Sequence, residues 1–243
     1  MLPPLPFSYR GTLNQVKLVA FSVDRDEIVP RLPDPLRMLP WRNRAIITLV
    51  NVKLTEMRPA GFPRKLGINY QHLAFRLSVD DSHLFGGKSK GIFFLDSFTN
   101  QPWIKMSGNM ASSYRFNLAR IKDDDYLCEL RAEDRFFHYA YSDAQPQRPD
   151  KALFRMVKRL DRAYAENLGR VYCTQIMRKE WPIQWKKLYH LETNFFETAR
   201  PEGMFTVQKP IAYLWKAPVK IAPNLWERVS NAWQPKTPFL KPT

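Results

Sequence analysis

The chain has 243 residues, of which 44% are hydrophobic and 14% aromatic, and this composition excludes an intrinsically disordered protein. No apolar run approaches the ~18 residues of a membrane-spanning helix, and the start MLPPLPFSYR lacks the basic and apolar regions of a signal peptide, so we expect a cytoplasmic protein without a membrane span. The formal net charge of +15 favours anionic partners, whether nucleic acid, lipid headgroups or small carboxylates.

The organisation of the chain predicts one domain over residues 1–243, because there is no internal repeat or low-complexity linker. We expect a core over roughly residues 8–228 and extended arms at both ends. Cys128 and Cys173 form no CxxC pair and are predicted to be buried free thiols. The four histidines have no metal-ligand spacing, so no metal is predicted, and no motif implies a cofactor. The oligomeric state stays open, with a homo-oligomer as one option.

The first predicted elements are strands separated by a helical turn. VKLVAFSVD (16–24) and RAIITLVNVKLTEM (44–57) are rich in β-branched residues, and DRDEIVPRLP between them reads as a short helical turn stopped by proline. The next strand, INYQHLAFRLSVD (68–80), alternates: Leu73, Phe75, Leu77 and Val79 are predicted to face the core. His72 and Arg76 then share the opposite face, which is either solvent or the wall of a cavity.

A short helix is predicted over TNQPWIKMSGNMA (99–111), after the buried strand GIFFLDSF (91–98). Its expected apolar stripe is Trp103, Met106 and Met110. Lys105 lies off that stripe and beside no other lysine, which favours a solvated charge over an activated amine. YRFNLARIK, DYLCELRA and RFFHYAYS (114–141) follow as three antiparallel strands.

One long helix is predicted over residues 149–169, capped by Asp150 and ended by Gly169. Its basic residues are interpreted as a solvated face, with phosphate binding as the alternative. Strand-like segments follow, with a short helix over TNFFETA. The predicted fold class is therefore α+β, mostly antiparallel β, as a curved sheet or barrel with one long helix and a few short helices.

Tyr114 and Arg115 follow a run of small residues that would let a ligand approach the backbone closely. A tyrosine hydroxyl beside a guanidinium can clamp a carboxylate or an enolate, and the same pair is equally compatible with packing at the start of a strand.

The segment GRVYCTQIMRKEWPIQWKK (169–187) resembles the C-terminal signature of the YqjF-like family of uncharacterised bacterial proteins. The shared pattern is Gly-Arg-aliphatic-Tyr at residues 169–172 and Trp-Pro-aliphatic-Gln at residues 181–184. KGIFFLDSFTN (90–100) resembles a strand of that family, and Tyr213, VKI and Trp226 complete the order. The resemblance covers roughly residues 8–228.

That family is similar to acetoacetate decarboxylase, which implies a β-barrel or cone with an interior cavity. In the decarboxylase a lysine forms a Schiff base with the substrate ketone, and a neighbouring lysine lowers its pKa. The corresponding position falls near Tyr114, and no lysine lies between Lys105 and Lys122. Family members are expected to carry Glu and Asn where this chain has His72 and Ala74, and often a histidine where it has Arg178. These departures weaken any transfer of acid–base chemistry.

The resemblance implies a protein that binds a small anionic or carbonyl-bearing molecule inside the barrel, without a Schiff-base lysine. The sequence leaves open whether it is an enzyme. If it is, Tyr114 is the candidate for polarising a carbonyl, Arg76 or Arg115 for holding a carboxylate, and His72 for moving a proton. The alternative is a basic protein that binds nucleic acid or an anionic surface, because residues 151–243 carry 17 Lys and Arg against 7 Asp and Glu. A scaffold without a ligand is the third reading.

Overall fold

The structure is a computed structural model, and it describes residues 5–85, 89, 91–146, 150–158, 160–178 and 181–221. The described chain is mostly β-sheet, with few and short helices. The helices are α1 Arg25–Ile28, α2 Ser82–Phe85, α3 Pro102–Ala111 and α4 Lys151–Lys158. Short 3-10 turns cover Val29–Arg31 and Arg64–Leu66. The predicted C-terminal arm and Trp226 lie outside the described residues.

Within the described residues, sixteen strands form the sheet. They are β1 Tyr9–Val23, β2 Arg37–Met38, β3 Pro40–Trp41, β4 Arg44–Pro59, β5 Ile68–Asp80, β6 Gly91–Thr99, β7 Phe116–Leu118, β8 Arg120–Asp123, β9 Leu127–Ala132, β10 Arg135–Ser142, β11 Arg162–Asn167, β12 Arg170–Arg178, β13 Gln184–Thr193, β14 Arg200–Val207, β15 Ile211–Trp215 and β16 Val219–Lys220. The strands predicted around residues 16–24, 44–57, 68–80 and 91–98 are all present.

The pairing order closes on itself. It runs β4, β5, β6, β11, β12, β15 and β1, and β1 pairs again with β4. These seven strands therefore form a closed ring of hydrogen-bonded neighbours. From β1 the sheet continues outward through β14, β13, β10 and β9 to β8.

The buried side chains fall into two clusters on opposite faces of the sheet. The first, here called the aromatic core, contains Phe21, Phe75, Phe98, Phe137 and Phe196, and these rings lie within about 6 Å of their neighbours. The second, here called the chamber layer, is mainly aliphatic and packs beneath α4. Both cysteines are free and buried, as predicted.

The predicted long helix over 149–169 is wrong. Helix α4 ends at Lys158, and the same stretch continues as strand β11, which pairs with β12 and lies parallel to β6. Ala163, Tyr164 and Ala165 are buried in succession, so both faces of this strand are covered, as in the centre of a sheet. Gly169 lies in the tight turn between β11 and β12 with φ of +67°, where a left-handed backbone is required.

Two smaller predictions also differ from the structure. Residues of TNFFETA form turns, because Phe195 and Phe196 insert into the aromatic core. The expected stripe of α3 is exposed: Trp103 is 45%, Met106 66% and Met110 58% accessible, and Ile104 is the buried residue of that helix. Lys105 is exposed, as the sequence predicted.

Candidate functional site

A chamber of about 70 Å³ lies against the face of the ring that carries the chamber layer. Its walls come from β1, β4, β5, β6, β12 and β15, six of the seven ring strands, and it is covered by Val157 of α4 and by Leu160, which follows that helix. We call it the inner chamber. Most of its lining is aliphatic or aromatic, and its charged side chains are Arg76 and Arg178.

The alternation of β5 explains why Arg76 reaches this chamber. Leu73, Phe75, Leu77 and Val79 project into the aromatic core, as predicted, so the residues between them project to the other side. Arg76 is only 8% exposed, and its Nε and Nη2 atoms make no hydrogen bond within the described chain. Burial lowers the pKa of Arg76 to about 9, with a further contribution from Arg178.

Arg178 brings the second cation to the inner chamber. Its Nη2 donates to the carbonyl oxygen of Leu160 at 2.5 Å, its Nε has no partner among the described residues, and its guanidinium lies 4.5 Å from the ring of Trp181. Burial lowers the pKa of Arg178 to about 10, and Asp161 partly opposes this shift. Within the described chain, neither arginine forms an ion pair with a carboxylate.

His72 lies two positions before Ala74 on the same face of β5 and borders the inner chamber. Its ring stacks on Phe94 at 6.2 Å and contacts Phe116 at 5.0 Å, and its Nε2 makes no hydrogen bond in the described structure. Burial lowers the pKa of His72 to about 3, and the charge of Arg76 adds to the effect. The imidazole is therefore neutral at physiological pH and is suited to hydrogen bonding rather than to carrying a proton.

A second chamber of about 400 Å³ lies between α3 and the ends of β4 and β5. This outer chamber shares Leu54, His72, Tyr213 and Trp215 with the inner one, so the two chambers adjoin at these side chains. Its lining is mainly apolar, and around its outer end Phe62, Leu66 and Ile68 are exposed.

Tyr114 stands in the wall of the outer chamber, packed against Phe94 at 4.5 Å and Trp215 at 5.1 Å. Its hydroxyl oxygen is buried and makes no hydrogen bond of good geometry within the described residues. Burial raises the pKa of Tyr114 well above its usual value, and nearby Thr174 opposes part of that shift. The hydroxyl is thus protonated and available as a donor.

Arg115 lines neither chamber. It is exposed and lines a polar groove along β6, together with Tyr114 and the ion pair of Arg31 and Asp96. The structure therefore brings Arg76, His72 and Tyr114 to the two adjoining chambers and leaves Arg115 outside them. The lining of both chambers, within the described chain, includes no lysine.

Sequence reasoning missed the role of Arg178 and Trp181 in the inner chamber. Arg178 was noted only as a departure from a histidine expected in the family. The alternation of β12 places Arg178 on the same strand face as Ile176, which also lines the chamber, and this was the signal available in the sequence.

A group of metal-ligating side chains lies on the neighbouring strands β10 and β13. His138, His190 and Glu192 bring their ligand atoms within 4.8 Å of one another, on an exposed face. Their proximity depends on the pairing of His138 with Glu192 across the two strands, which the sequence spacing does not show. Outside this surface group, the described residues bring together no other set of three or more such side chains.

The fold is shared with solved structures of low sequence identity. Acetoacetate decarboxylase from Legionella pneumophila superposes with a TM-score of 0.58 at 14% identity, over 92% of this chain and 90% of that one. An acetoacetate decarboxylase-like enzyme from Sphingomonas wittichii RW1 gives 0.57 at 9% identity, over 89% and 94%. The enduracididine biosynthesis enzyme MppR complexed with pyruvate gives 0.54 at 13% identity, over 91% and 92%. The chain thus has the fold of acetoacetate decarboxylase-like proteins.

Residues 10–217 match the family DUF2071, described as an uncharacterized conserved protein, and the chain belongs to this family. The predicted resemblance to an uncharacterised family with acetoacetate decarboxylase-like relatives is confirmed. Comparison with curated proteins found no match. Within the described residues, no helix has the length and apolar character needed to cross a membrane.

Proposed function

We propose that the closed ring is a barrel whose interior binds a small molecule bearing a carboxylate, held by Arg76 and Arg178. One observation carries this proposal: buried Arg76 and partly buried Arg178 line one chamber, and neither guanidinium has a carboxylate partner in the described chain. A charge buried without a counterion costs several kcal/mol, so such a pair favours a bound anion. The planar guanidinium matches a carboxylate in two-point hydrogen bonding.

The neighbouring candidates fit the same ligand. Tyr114 is placed to donate a hydrogen bond to a carbonyl or hydroxyl oxygen that extends into the outer chamber. His72 offers a neutral ring nitrogen at the junction of the chambers. The pyruvate complex of MppR gives related support, because that protein, which has the same fold, holds a small oxo acid. We assign a binding role to this site and leave a reaction unassigned.

Carboxylate binding can be measured by titrating the protein with pyruvate, acetoacetate and butanoate in a calorimeter. Arg76→Met and Arg178→Met are each expected to lower the affinity at least about thirtyfold, because each leaves the carboxylate with one buried cation. Arg115→Met is the matched control and should bind as the unmodified protein does. Equal affinities for the Arg76→Met and unmodified proteins would refute the proposal.

We further propose that the protein forms no imine with keto acids. The supporting observation is that no lysine lines either chamber within the described residues. Treatment with acetoacetate and borohydride is expected to leave the intact mass unchanged. A reduced adduct on any lysine, located by peptide mass spectrometry, would contradict this.

Binding to nucleic acid or to an anionic surface stays the alternative function. Its basis is the excess of basic residues after residue 150, which include exposed Lys151 and Lys158 on α4. Affinity for DNA that falls steeply with salt would support it. Retention of DNA binding by Arg76→Met would place that activity outside the chambers.

A further inference from the structure

The two chambers differ in chemistry although they adjoin. The inner chamber is small and carries both guanidinium groups. The outer chamber is several times larger, and apart from Tyr, His, Ser and Arg58 its lining is apolar. The guanidinium of Arg58 is already bonded to the backbone carbonyl oxygens of Glu56 and Phe62. The paired guanidinium groups and the extended apolar lining thus belong to two adjoining chambers.

A ligand the size of a short keto acid would satisfy only the inner chamber. It would pair with Arg76 and Arg178 and leave the 400 Å³ outer chamber filled with water against apolar walls. Pockets of a few hundred cubic ångströms usually bury most of their ligand against such walls. The apolar lining extends to the surface, where the side chains of Phe62, Leu66 and Ile68 are exposed around the outer end.

We infer that the ligand is an amphipathic carboxylate, with its head at Arg76 and Arg178 and an apolar chain running through the outer chamber toward Phe62. This inference rests on the proposed function, since it takes the carboxylate site as given and adds the nature of the rest of the molecule. The chain passes His72, Tyr213 and Trp215, which line both chambers. An oxygen substituent on the chain near Tyr114 would receive the hydrogen bond of its hydroxyl.

The test is a titration series of unbranched carboxylates from acetate to dodecanoate, with the primary alcohols of the same lengths. We expect the affinity of the carboxylates to rise about fourfold for each added methylene group, because each buries further apolar surface. The rise should stop when the chain is long enough to leave the outer chamber. Alcohols of equal length should bind at least about thirtyfold more weakly.

A variant that fills the outer chamber tests the two chambers separately. Ser107 lines the outer chamber, so Ser107→Trp is expected to weaken decanoate strongly while leaving butanoate unchanged. Met106→Trp is the matched control, because it places the same indole one residue earlier on the exposed face of α3. Circular dichroism and thermal melting would confirm that both variants fold.

The outcomes distinguish this inference from the proposed function. An affinity that does not depend on chain length, with Arg76→Met still impaired, would overturn the amphipathic ligand and leave carboxylate binding intact. Equal binding of alcohols and carboxylates, unaffected by Arg76→Met, would overturn both. Equal weakening of butanoate and decanoate by Ser107→Trp would also overturn the assignment of the outer chamber to the chain.

Discussion

The two faces of strand β5 divide the molecule into a filled side and a hollow side. Phe75, on one face, contacts a cluster of aromatic rings at 5.0–6.1 Å. Its neighbour Arg76, on the other face, lines a chamber and has two nitrogen atoms without hydrogen bonds in the described structure. Both are buried, so burial alone does not reveal function. The difference lies in whether the buried atoms have partners.

Packing on the filled side should dominate stability. Phe75→Ala is expected to lower the free energy of unfolding by about 3–5 kcal/mol, because the surrounding rings cannot collapse into the space. Phe94→Ala, beside the chambers, should cost at least about 1 kcal/mol less, because Phe94 already lacks contacts on one side. Urea denaturation of both variants measures the comparison. Equal losses would mean that the chambers are packed as tightly as the aromatic core.

Two arginines differ in whether they have a carboxylate partner. Arg162 donates to both oxygens of Asp81, which is 0% exposed, at 2.5 and 2.9 Å. Arg162→Met is expected to cost about 3–5 kcal/mol, because it removes the cation from a buried carboxylate. Arg76→Met should leave stability unchanged or raise it by about 1 kcal/mol or more, because it removes a buried charge that has no carboxylate partner. A large loss of stability in Arg76→Met would indicate that Arg76 stabilises the fold instead of binding a ligand.

Lowering the pH should reduce the stability of the protein through His72, on the hollow side. Its pKa is about 3 in the folded protein against 6.5 in the unfolded chain, so between these values the unfolded state binds the extra proton. Stability should therefore fall as the pH drops from 6.5 toward 3, by about 3 kcal/mol at pH 4. His72→Leu is expected to remove that loss. His190→Gln, on the exposed face, is the control and should keep the acid sensitivity of the unmodified protein.

Alternation along single strands was readable from the sequence, and pairing between distant strands was not. The pattern of β5 predicted that Arg76 opposes the aromatic core, because side-chain direction in a strand depends only on position. Residues 160–168 carry apolar side chains at both helical and alternating spacings. This segment forms strand β11 because β6 and β12 pair with it on either side, and these partners are adjacent only in the folded sheet.

The candidate site shows the same limit. His72, Arg76 and Tyr114 were named from local patterns and the family resemblance, and the chambers bring them near one another. Arg178 on β12 and Arg76 on β5 line the same chamber because the strands between them pair in order around the ring. No spacing in the sequence encodes this proximity. Likewise, the row Trp103, Met106 and Met110 has the period of a buried stripe, yet it faces outward because the sheet covers only the side of α3 that carries Ile104.

Closure of the ring also bears on aggregation. The two longest strands, β1 with 15 residues and β4 with 16, are rich in apolar residues, and each is paired on both sides. The pairing order ends instead at β3, of two residues, and at β8, of four, where Arg120 and Lys122 are exposed. Short strands with charged side chains are poor templates for another chain. The long hydrophobic segments are thus kept from joining edge to edge with other copies of the folded chain.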